Sequence, residues 1–346
     1  MGNLKKLKIG LILFSLVAIV FIANYTSSYF VQQTNEQKVD FTVVGHGYGY
    51  RGRMSKDLYK PLDATFRKIG IGDLVLFLGD NVEENKKEYY EELFNDLNDI
   101  KSIKGKYYLS PGNHDIASKS ARERFLDVNN YDDTDYFFDK NGVRFISIDY
   151  GAYDKNTGSL KNIGGHNVMP EVSRGRLKRL KKYLSPKNLD KIYAVVIFTH
   201  TYVWDKSIKI HKHTKFMENI FPLLSNAKKP VYVFAGNTCS VKDSSIDNVR
   251  FLTTGLCPSA KTTKNDNILK VSIKKDKISS RVNFNYKIIN LSDHYDYSNI
   301  ELKYLGEKSL DSLKSYNKLR DSKLKKLIEE LNIQNIVSLT MMKIVT

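Results

Sequence analysis

The chain has 346 residues, a length typical of one large domain with extensions or of two domains, and its 41% of hydrophobic residues can build a sizeable core. The net charge of +17 favours anionic partners such as phosphates, nucleic acid, anionic polymers or lipid, unless it is simply a Lys-rich soluble surface. Only two cysteines occur, Cys239 and Cys257, which excludes a disulfide-dense scaffold and a CxxC motif.

The N-terminal segment joins a basic flank to an apolar run. Residues 1–8 contain three lysines, and residues 9–23 are apolar apart from Gly10 and Ser15. This pattern is typical of a secretory signal or an uncleaved signal anchor, and extension to Val31 gives the length of about 20 residues that spans a bilayer. We expect a transmembrane anchor at 9–31, with residues 1–8 in the cytoplasm, a linker at 32–38 and the globular part outside the cytoplasm. A cleaved signal peptide is the alternative.

The first predicted strand covers residues 39–44 and runs into the glycine-rich turn Gly45-His46-Gly47-Tyr48-Gly49. Glycines permit tight turns, and the backbone N–H groups of such a turn can hold an anion. Gly47 is therefore a candidate substrate-binding residue. The turn is not a P-loop, because no Gly-Lys-Ser/Thr follows it.

Two more strands are predicted at 73–80 and 105–111, with helices at 55–68 and 85–103. The strands end in Gly79-Asp80-Asn81 and in Pro111-Gly112-Asn113-His114-Asp115. Ligands of open α/β sheets bind at the carboxyl ends of the strands. We therefore expect Asp80, Asn113 and His114 to lie side by side.

These two motifs resemble those of the calcineurin-like metallophosphoesterase family, and the resemblance runs from about Val39 to about Gly255. It implies an α/β fold, a four-layer αββα sandwich, here assigned to residues 39–290, with two metal ions that activate water and hold a phosphoryl group. Asp80 matches the bridging carboxylate and Asn113 a metal ligand. His114 matches the residue that contacts the phosphate and helps to protonate the leaving group. The predicted catalytic residues are His114 and Asp80, and the predicted substrate contacts are His114, Asn81 and Gly47.

Further elements follow the third strand. A helix is predicted at 118–128, a hairpin at 136–149 that turns at Asn141-Gly142, and a basic helix at 173–184. The loop between them, residues 150–170, is rich in glycine and is expected to cap the site. A charged helical stretch at 309–331 belongs to a C-terminal helical extension, residues 291–346. We expect it to pack on the core, and binding to a partner or to the membrane are the alternatives.

The later strands carry the remaining family motifs. The strand at 192–198 is followed by His200, which matches a metal-binding histidine, and the strand at 230–235 is followed by Gly236-Asn237-Thr238-Cys239. A strand at 249–255 and an antiparallel pair at 267–274 and 278–289 are predicted to close the fold.

The chain departs from the family pattern at four metal positions, where His46, Tyr48, Asn237 and Cys239 stand. The phenol of Tyr48 and the amide of Asn237 are poor ligands, whereas His46 and Cys239 can bind metal, so a His46–Asp80–Cys239 zinc site is one possibility. Cys239 could instead pair with Cys257 in a disulfide, or both could be buried thiols. The predicted ligands, for one or two ions of Zn, Mn or Fe, are Asp80, Asn113, His200, His46 and Cys239.

Two hypotheses about function remain. The first is a membrane-anchored phosphoric ester hydrolase with an altered metal site, whose substrate contains phosphate or another anionic group. The second is a catalytically inactive protein of the same fold that binds an anionic glycan, lipid or protein outside the cytoplasm. A nucleic-acid partner is not expected, because the charge is not accompanied by a recognition motif.

Overall fold

A computed structural model describes residues 17–22, 36–48, 57–151, 153–159, 161, 173–204, 216–256, 266–276 and 278–296. One compact unit spans Met1–Tyr295 and a second spans Asp296–Thr346. The predicted helical stretch at 309–331 lies outside the described residues, and so do most of the predicted anchor at 9–31 and half of the loop at 150–170. Within the described ranges, where residues 17–22 are helical, no helix has the length and apolar character needed to cross a membrane.

Two β-sheets form the centre of the first unit. Sheet 1 has the order β11-β10-β1-β2-β3, and its strands are β1 (Glu36–Val44), β2 (Leu74–Phe77), β3 (Tyr107–Leu109), β10 (Asn267–Asp276) and β11 (Val282–Asn290). Sheet 2 has the order β4-β5-β6-β7-β9-β8, and its strands are β4 (Tyr136–Lys140), β5 (Val143–Ser147), β6 (Ala194–Thr199), β7 (Val231–Ala235), β8 (Asp243–Ile246) and β9 (Val249–Thr253). The strands β1-β2-β3 and β5-β6-β7-β9 are parallel, and antiparallel strands flank them.

The main hydrophobic core lies between the two sheets. Alternate residues of β1 point into it, and the ring of Phe41 meets Phe145 edge to face at a centroid distance of 5.3 Å and Phe234 at 5.9 Å. Strands β5, β6 and β7 are buried along their whole length. This accounts for their nearly continuous apolar sequences, because parallel strands are usually covered on both faces.

Helices cover the outer faces of the sheets: α1 (Lys60–Ile69), α2 (Lys87–Asp99), α3 (Lys119–Asn129), α4 (Arg174–Tyr183) and α5 (Phe221–Ser225). Phe94 of α2 stacks on Tyr107 of sheet 1, whereas Leu180 of α4 and Leu224 of α5 belong to a second core on sheet 2. The fold is thus a mixed α/β sandwich built on two sheets, as the motifs predicted.

Several predicted elements are present with shorter bounds. The hairpin of β4 and β5 turns at Asn141 and Gly142, whose φ angles are 49° and 79°, in the left-handed region that tight hairpin turns require. Ser118 caps α3 by accepting a hydrogen bond from the N–H of Ala121 at 3.1 Å. The closing pair, β10 and β11, is antiparallel as predicted. Strand β8 was not predicted, because its sequence is polar and all four of its residues are exposed.

Candidate metal centre

The carboxyl ends of β1, β2 and β3 lie at one edge of sheet 1. Val44 pairs with Phe77, and Phe77 pairs with Leu109, so the three strands end at the same level. The residues that follow them, His46, Asp80 and Asn113, therefore emerge together, as the sequence predicted. His200 follows β6 of sheet 2 and reaches the same place from the opposite layer.

Two glycines allow the loops at this edge to touch. A Cβ atom on Gly79, whose φ is +90°, would lie 2.6 Å from the Cβ of His200 and 2.8 Å from the N of Gly112. A Cβ atom on Gly112 would lie 2.0 Å from the N of Asp80. All three distances are too short for a Cβ atom, so both positions need glycine in order to bring Asp80 and His200 together.

Two histidines and one carboxylate converge on a buried point. The Oδ2 of Asp80 lies 3.3 Å from the Nε2 of His200 and 3.5 Å from the Nε2 of His46. All three residues are buried, and their possible ligand atoms lie within 4.8 Å of one another. Imidazole nitrogens with a carboxylate oxygen form a donor set that suits a divalent ion such as zinc.

The other ring nitrogen of each histidine fixes its tautomer. The Nδ1 of His46 donates to the carbonyl of Leu256 at 2.7 Å, and the Nδ1 of His200 donates to the carbonyl of Leu78 at 2.9 Å. A carbonyl oxygen only accepts hydrogen bonds, so each Nδ1 carries a proton and each Nε2 faces Asp80. Metal-binding histidines are typically oriented in this way.

The electrostatics of the site favour a positive charge between these groups. Burial alone raises the pKa of Asp80, but the charge and hydrogen bond of His200, followed by those of His46, outweigh it and hold the pKa well below its usual value. Burial lowers the pKa of His200, but Asp80 outweighs it and the net shift is upward. Three donors that face one another need a proton or a cation between them, and the residues present fit a cation.

Asn113 and His114 adjoin this group. The Oδ1 of Asn113 lies 3.2 Å from the Nε2 of His200, so the amide oxygen is a fourth donor at the same point. The backbone N–H of His114 donates to the Oδ1 of Asp80 at 3.0 Å, and its Nδ1 donates to the carbonyl of Glu83 at 2.6 Å. The predicted site residues Asp80, Asn113, His200 and His46 are thus brought together, and His114 is beside them.

Asn81 and Gly47 are placed differently from a surface that contacts a substrate. Asn81 is fully buried, and its Nδ2 donates to Ser110 and to Asp115. The N–H of Gly47 donates to the carbonyl of Asp80 at 3.1 Å, so it is already used within the protein. In this structure both residues hold the loops in position through these hydrogen bonds.

Cys239 is not a metal ligand in this structure. It is disulfide-bonded and exposed, and a sulfur in a disulfide has no thiolate to offer. The chain's other cysteine, Cys257, lies outside the described residues. Asn237, two residues before Cys239, is exposed with a φ of +49°. This corrects the predicted His46–Asp80–Cys239 site: His46 and Asp80 converge with His200, and Cys239 is not part of the group.

A buried carboxyl, Asp115, organises the loop behind the site. Its Oδ2 accepts from the N–H groups of Gly112 at 2.8 Å and Asn81 at 3.1 Å, and its Oδ1 accepts from the hydroxyl of Tyr90 at 2.8 Å. Burial, and then the charge of Asp80, raise the pKa of Asp115 to about 6. The motif identified Asp115 by position, but nothing in the sequence indicated these partners.

A narrow cleft lies beside the site, and the sequence analysis did not predict it. Asn113 and His200 line it together with Asp149, Tyr150, Thr199 and Thr201. Asp149 is buried, and the guanidinium of Arg176 in α4 approaches both it, at 3.7 Å, and Asp135, at 3.3 Å. The position of Asp149 just after a buried strand was the one signal that could have identified it.

The chain is similar to one known family and to several solved structures. A family model described as calcineurin-like phosphoesterase matches residues 46–236, more than half of the chain. Similar solved structures include a dimetal phosphatase from Danio rerio, with 14% identity over 72% of this chain and 98% of that chain and a TM-score of 0.49. A predicted phosphoesterase from Streptococcus pneumoniae has 12% identity over 75% of this chain and 94% of that chain, with a TM-score of 0.33. Zn²⁺-complexed Vps29 from Entamoeba histolytica has 11% identity over 72% of this chain and 98% of that chain, with a TM-score of 0.30. A comparison with curated proteins gave no match.

Proposed function

Because the chain belongs to the calcineurin-like phosphoesterase family, as the match over residues 46–236 shows, we propose that it is a metal-dependent phosphoric ester hydrolase with an altered metal site. The observation that carries this proposal is the convergence of His46, Asp80 and His200, with donor atoms within 4.8 Å of one another. A divalent cation held there would polarise the phosphoryl oxygens and bring a water into its nucleophilic form.

The side chains around this point have distinct roles in the proposed reaction. Asp80, His46, His200 and Asn113 would hold the cation. His114 would contact the phosphate and donate a proton to the leaving group. Since the Nδ1 of His114 is bonded to the carbonyl of Glu83, Nε2 is the nitrogen that exchanges this proton.

The proposal includes a location outside the cytoplasm and a membrane anchor at residues 9–31. The disulfide at Cys239 supports the location, because disulfides persist mainly in oxidising compartments. The basic flank and apolar run at the N-terminus support the anchor. Protease added to intact cells should digest the globular part, and protection of that part until the cells are lysed would contradict this disposition.

The second candidate, an inactive protein that binds an anionic partner, is favoured by one observation. The tip of β7, where the family carries two metal ligands, here presents an exposed Asn237 and a disulfide-bonded Cys239. A cleft next to basic segments could bind a phosphorylated group without hydrolysing it.

A direct assay separates the two candidates. The full chain is stripped with a chelator, reloaded with Zn²⁺, Mn²⁺ or Fe²⁺, and tested on aryl phosphate monoesters and diesters. Hydrolysis should need the metal, should be lost in Asp80→Ala, and should fall by at least about 100-fold in His114→Ala, because general acid catalysis contributes about that much. His294→Ala is the matched histidine control. A folded, metal-loaded chain without turnover would support the binding protein.

A further inference from the structure

We propose that this chain holds one cation instead of the family's two, and that His46 completes the four-donor set with Asp80, Asn113 and His200. The inference rests on the proposed function and specifies its metal centre. In the family pattern, Asp80, Asn113 and His200 mainly serve one metal position, whose fourth ligand is replaced here by Asn237. The structure assigns that missing place to His46.

The donor distances match those of a single small ion. The Nε2 of His200 lies 3.2 Å from the Oδ1 of Asn113 and 3.3 Å from the Oδ2 of Asp80, and the Nε2 of His46 lies 3.5 Å from the same oxygen. Ligand atoms bound tetrahedrally at about 2.0–2.1 Å from a zinc ion are about 3.3–3.4 Å apart. These three distances therefore match the spacing of donors in one coordination shell, and the donor atoms of His46, Asp80 and His200 all lie within 4.8 Å of one another.

The second oxygen of Asp80 is engaged in a backbone hydrogen bond. Its Oδ1 accepts the backbone N–H of His114 at 3.0 Å, while both histidines face Oδ2. A second cation on Oδ1 would have to share that oxygen with the N–H of His114. That bond also fixes the start of the loop that carries the proposed proton donor.

The residues at the other family positions offer little to a second ion. Tyr48 is buried with its ring 5.9 Å from that of His46, and a phenol is a poor ligand for a divalent ion. Asn237 and Cys239 are exposed, and Cys239 is in a disulfide. Across the part of the chain that the structure describes, Asp80 supplies the one carboxylate of the converging group.

Charge makes the same point. Two divalent cations about 4 Å apart repel each other strongly, so a two-metal site needs several negative ligands. A single carboxylate brings one negative charge to oppose four positive ones. One cation with one carboxylate, two imidazoles and an amide leaves a net charge of +1, which a phosphate ester can neutralise.

The test measures metal content and not activity. The purified full chain is dialysed against excess Zn²⁺, and bound metal is measured by mass spectrometry. We expect one ion per wild-type chain. His46→Ala should bind zinc at least tenfold more weakly. Zinc binding should not change in Tyr48→Phe, Asn237→Ala or the control His294→Ala. Two ions per chain, or unchanged binding in His46→Ala, would overturn the inference.

A second measurement uses the unmodified protein, in case His46→Ala does not fold. X-ray absorption of the zinc-loaded chain reports the number of imidazole ligands, and two per zinc are expected; one imidazole per zinc would exclude His46. The outcomes also separate the two proposals. A chain that binds no metal at all overturns both, whereas a chain with two ions and turnover overturns only the single-ion centre.

Discussion

At the residue scale, the closest approach in the site is that of Gly112 to Asp80. A methyl group on Gly112 would lie 2.0 Å from the backbone N of Asp80 and 2.2 Å from its Oδ1. Neither atom belongs to a flexible chain end, because Asp80 is buried and held by its neighbours. The glycine is therefore part of what positions the carboxylate, although it touches no ligand itself.

We predict that Gly112→Ala lowers the free energy of unfolding by about 1–3 kcal/mol, a cost typical of overpacking, and weakens metal binding by displacing Asp80. Urea denaturation and zinc titration measure the two effects. Gly175→Ala in α4 is the matched control, because its methyl group would meet only the Nη1 of Arg179 at 3.8 Å. Equal effects of the two substitutions would contradict this role of Gly112.

The stability of the protein should depend on pH through Asp115. Burial, followed by the charge of Asp80, raises the pKa of this carboxyl to about 6 in the folded protein. An unfolded chain ionises this group near pH 3.9, so between about pH 4 and 6 the folded protein binds the extra proton. Stability contributed by Asp115 is then complete below about pH 4 and is lost as the pH rises through 6. The total is on the order of 3 kcal/mol, since one pKa unit corresponds to about 1.4 kcal/mol.

Asp115→Asn should remove this dependence. The free energy of unfolding of the variant minus that of the wild type should rise by about 3 kcal/mol from pH 4 to pH 6 and then remain level. The measurement is urea denaturation of chelated protein at several pH values, with the exposed Asp132→Asn as control. A difference that is constant with pH would show that Asp115 ionises normally.

At the element scale, the sequence pattern was sufficient to predict the buried strands but not the edge strand of sheet 2. Strands β5, β6 and β7 are nearly continuously apolar, apart from Arg144, Ser147 and Thr199, so their composition predicted burial on both faces. Strand β8 has the sequence Asp243-Ser244-Ser245-Ile246 and is held by its pairing with β9, a tertiary contact that local sequence does not encode.

The site was predictable where motif and strand end coincide, as at Asp80 and His200. It was not predictable at Cys239, because the sequence left open whether this residue offers a thiolate to a metal or forms a disulfide.

Helix α4 carries the ion pairs behind the cleft. Arg176 is buried and approaches Asp135 at 3.3 Å and Asp149 at 3.7 Å. We expect Arg176→Met to lower the free energy of unfolding by about 3–5 kcal/mol at neutral pH, because the partner carboxylates would remain buried without it. The loss should shrink in acid as the carboxyl of Asp149, whose pKa burial raises, gains a proton. Arg174→Met, on the exposed face of the same helix, should change the stability by no more than about 0.5 kcal/mol.

The disulfide at Cys239 gives a test of the corrected ligand set. Cys239→Ser should cost about 2–4 kcal/mol of stability, typical for a native disulfide, and should leave zinc binding unchanged. Dithiothreitol should lower the stability of the wild type to that of the variant and should not change the stability of the variant. Loss of zinc from Cys239→Ser in a folded chain would restore the cysteine as a ligand.

At the scale of the whole molecule, charge and site chemistry point to the same class of substrate. The chain carries 55 Lys and Arg against 38 Asp and Glu. Such an excess attracts anions over distances of about the Debye length, roughly 10 Å at 0.1 M salt. If the proposed hydrolase uses this field, capture of the substrate, more than its later chemistry, should respond to ionic strength.

We therefore predict that kcat/KM for a phosphate ester falls several-fold between about 0.05 and 0.5 M salt, while kcat at saturation changes little. The slope against the square root of ionic strength should be about twice as steep for a dianionic monoester as for a monoanionic diester, because the interaction scales with the charge of the substrate. Unfolding temperatures measured in the same salts control for changes in stability. Equal slopes for the two esters would show that the positive charge is a property of the solvated surface and does not guide substrate to the site.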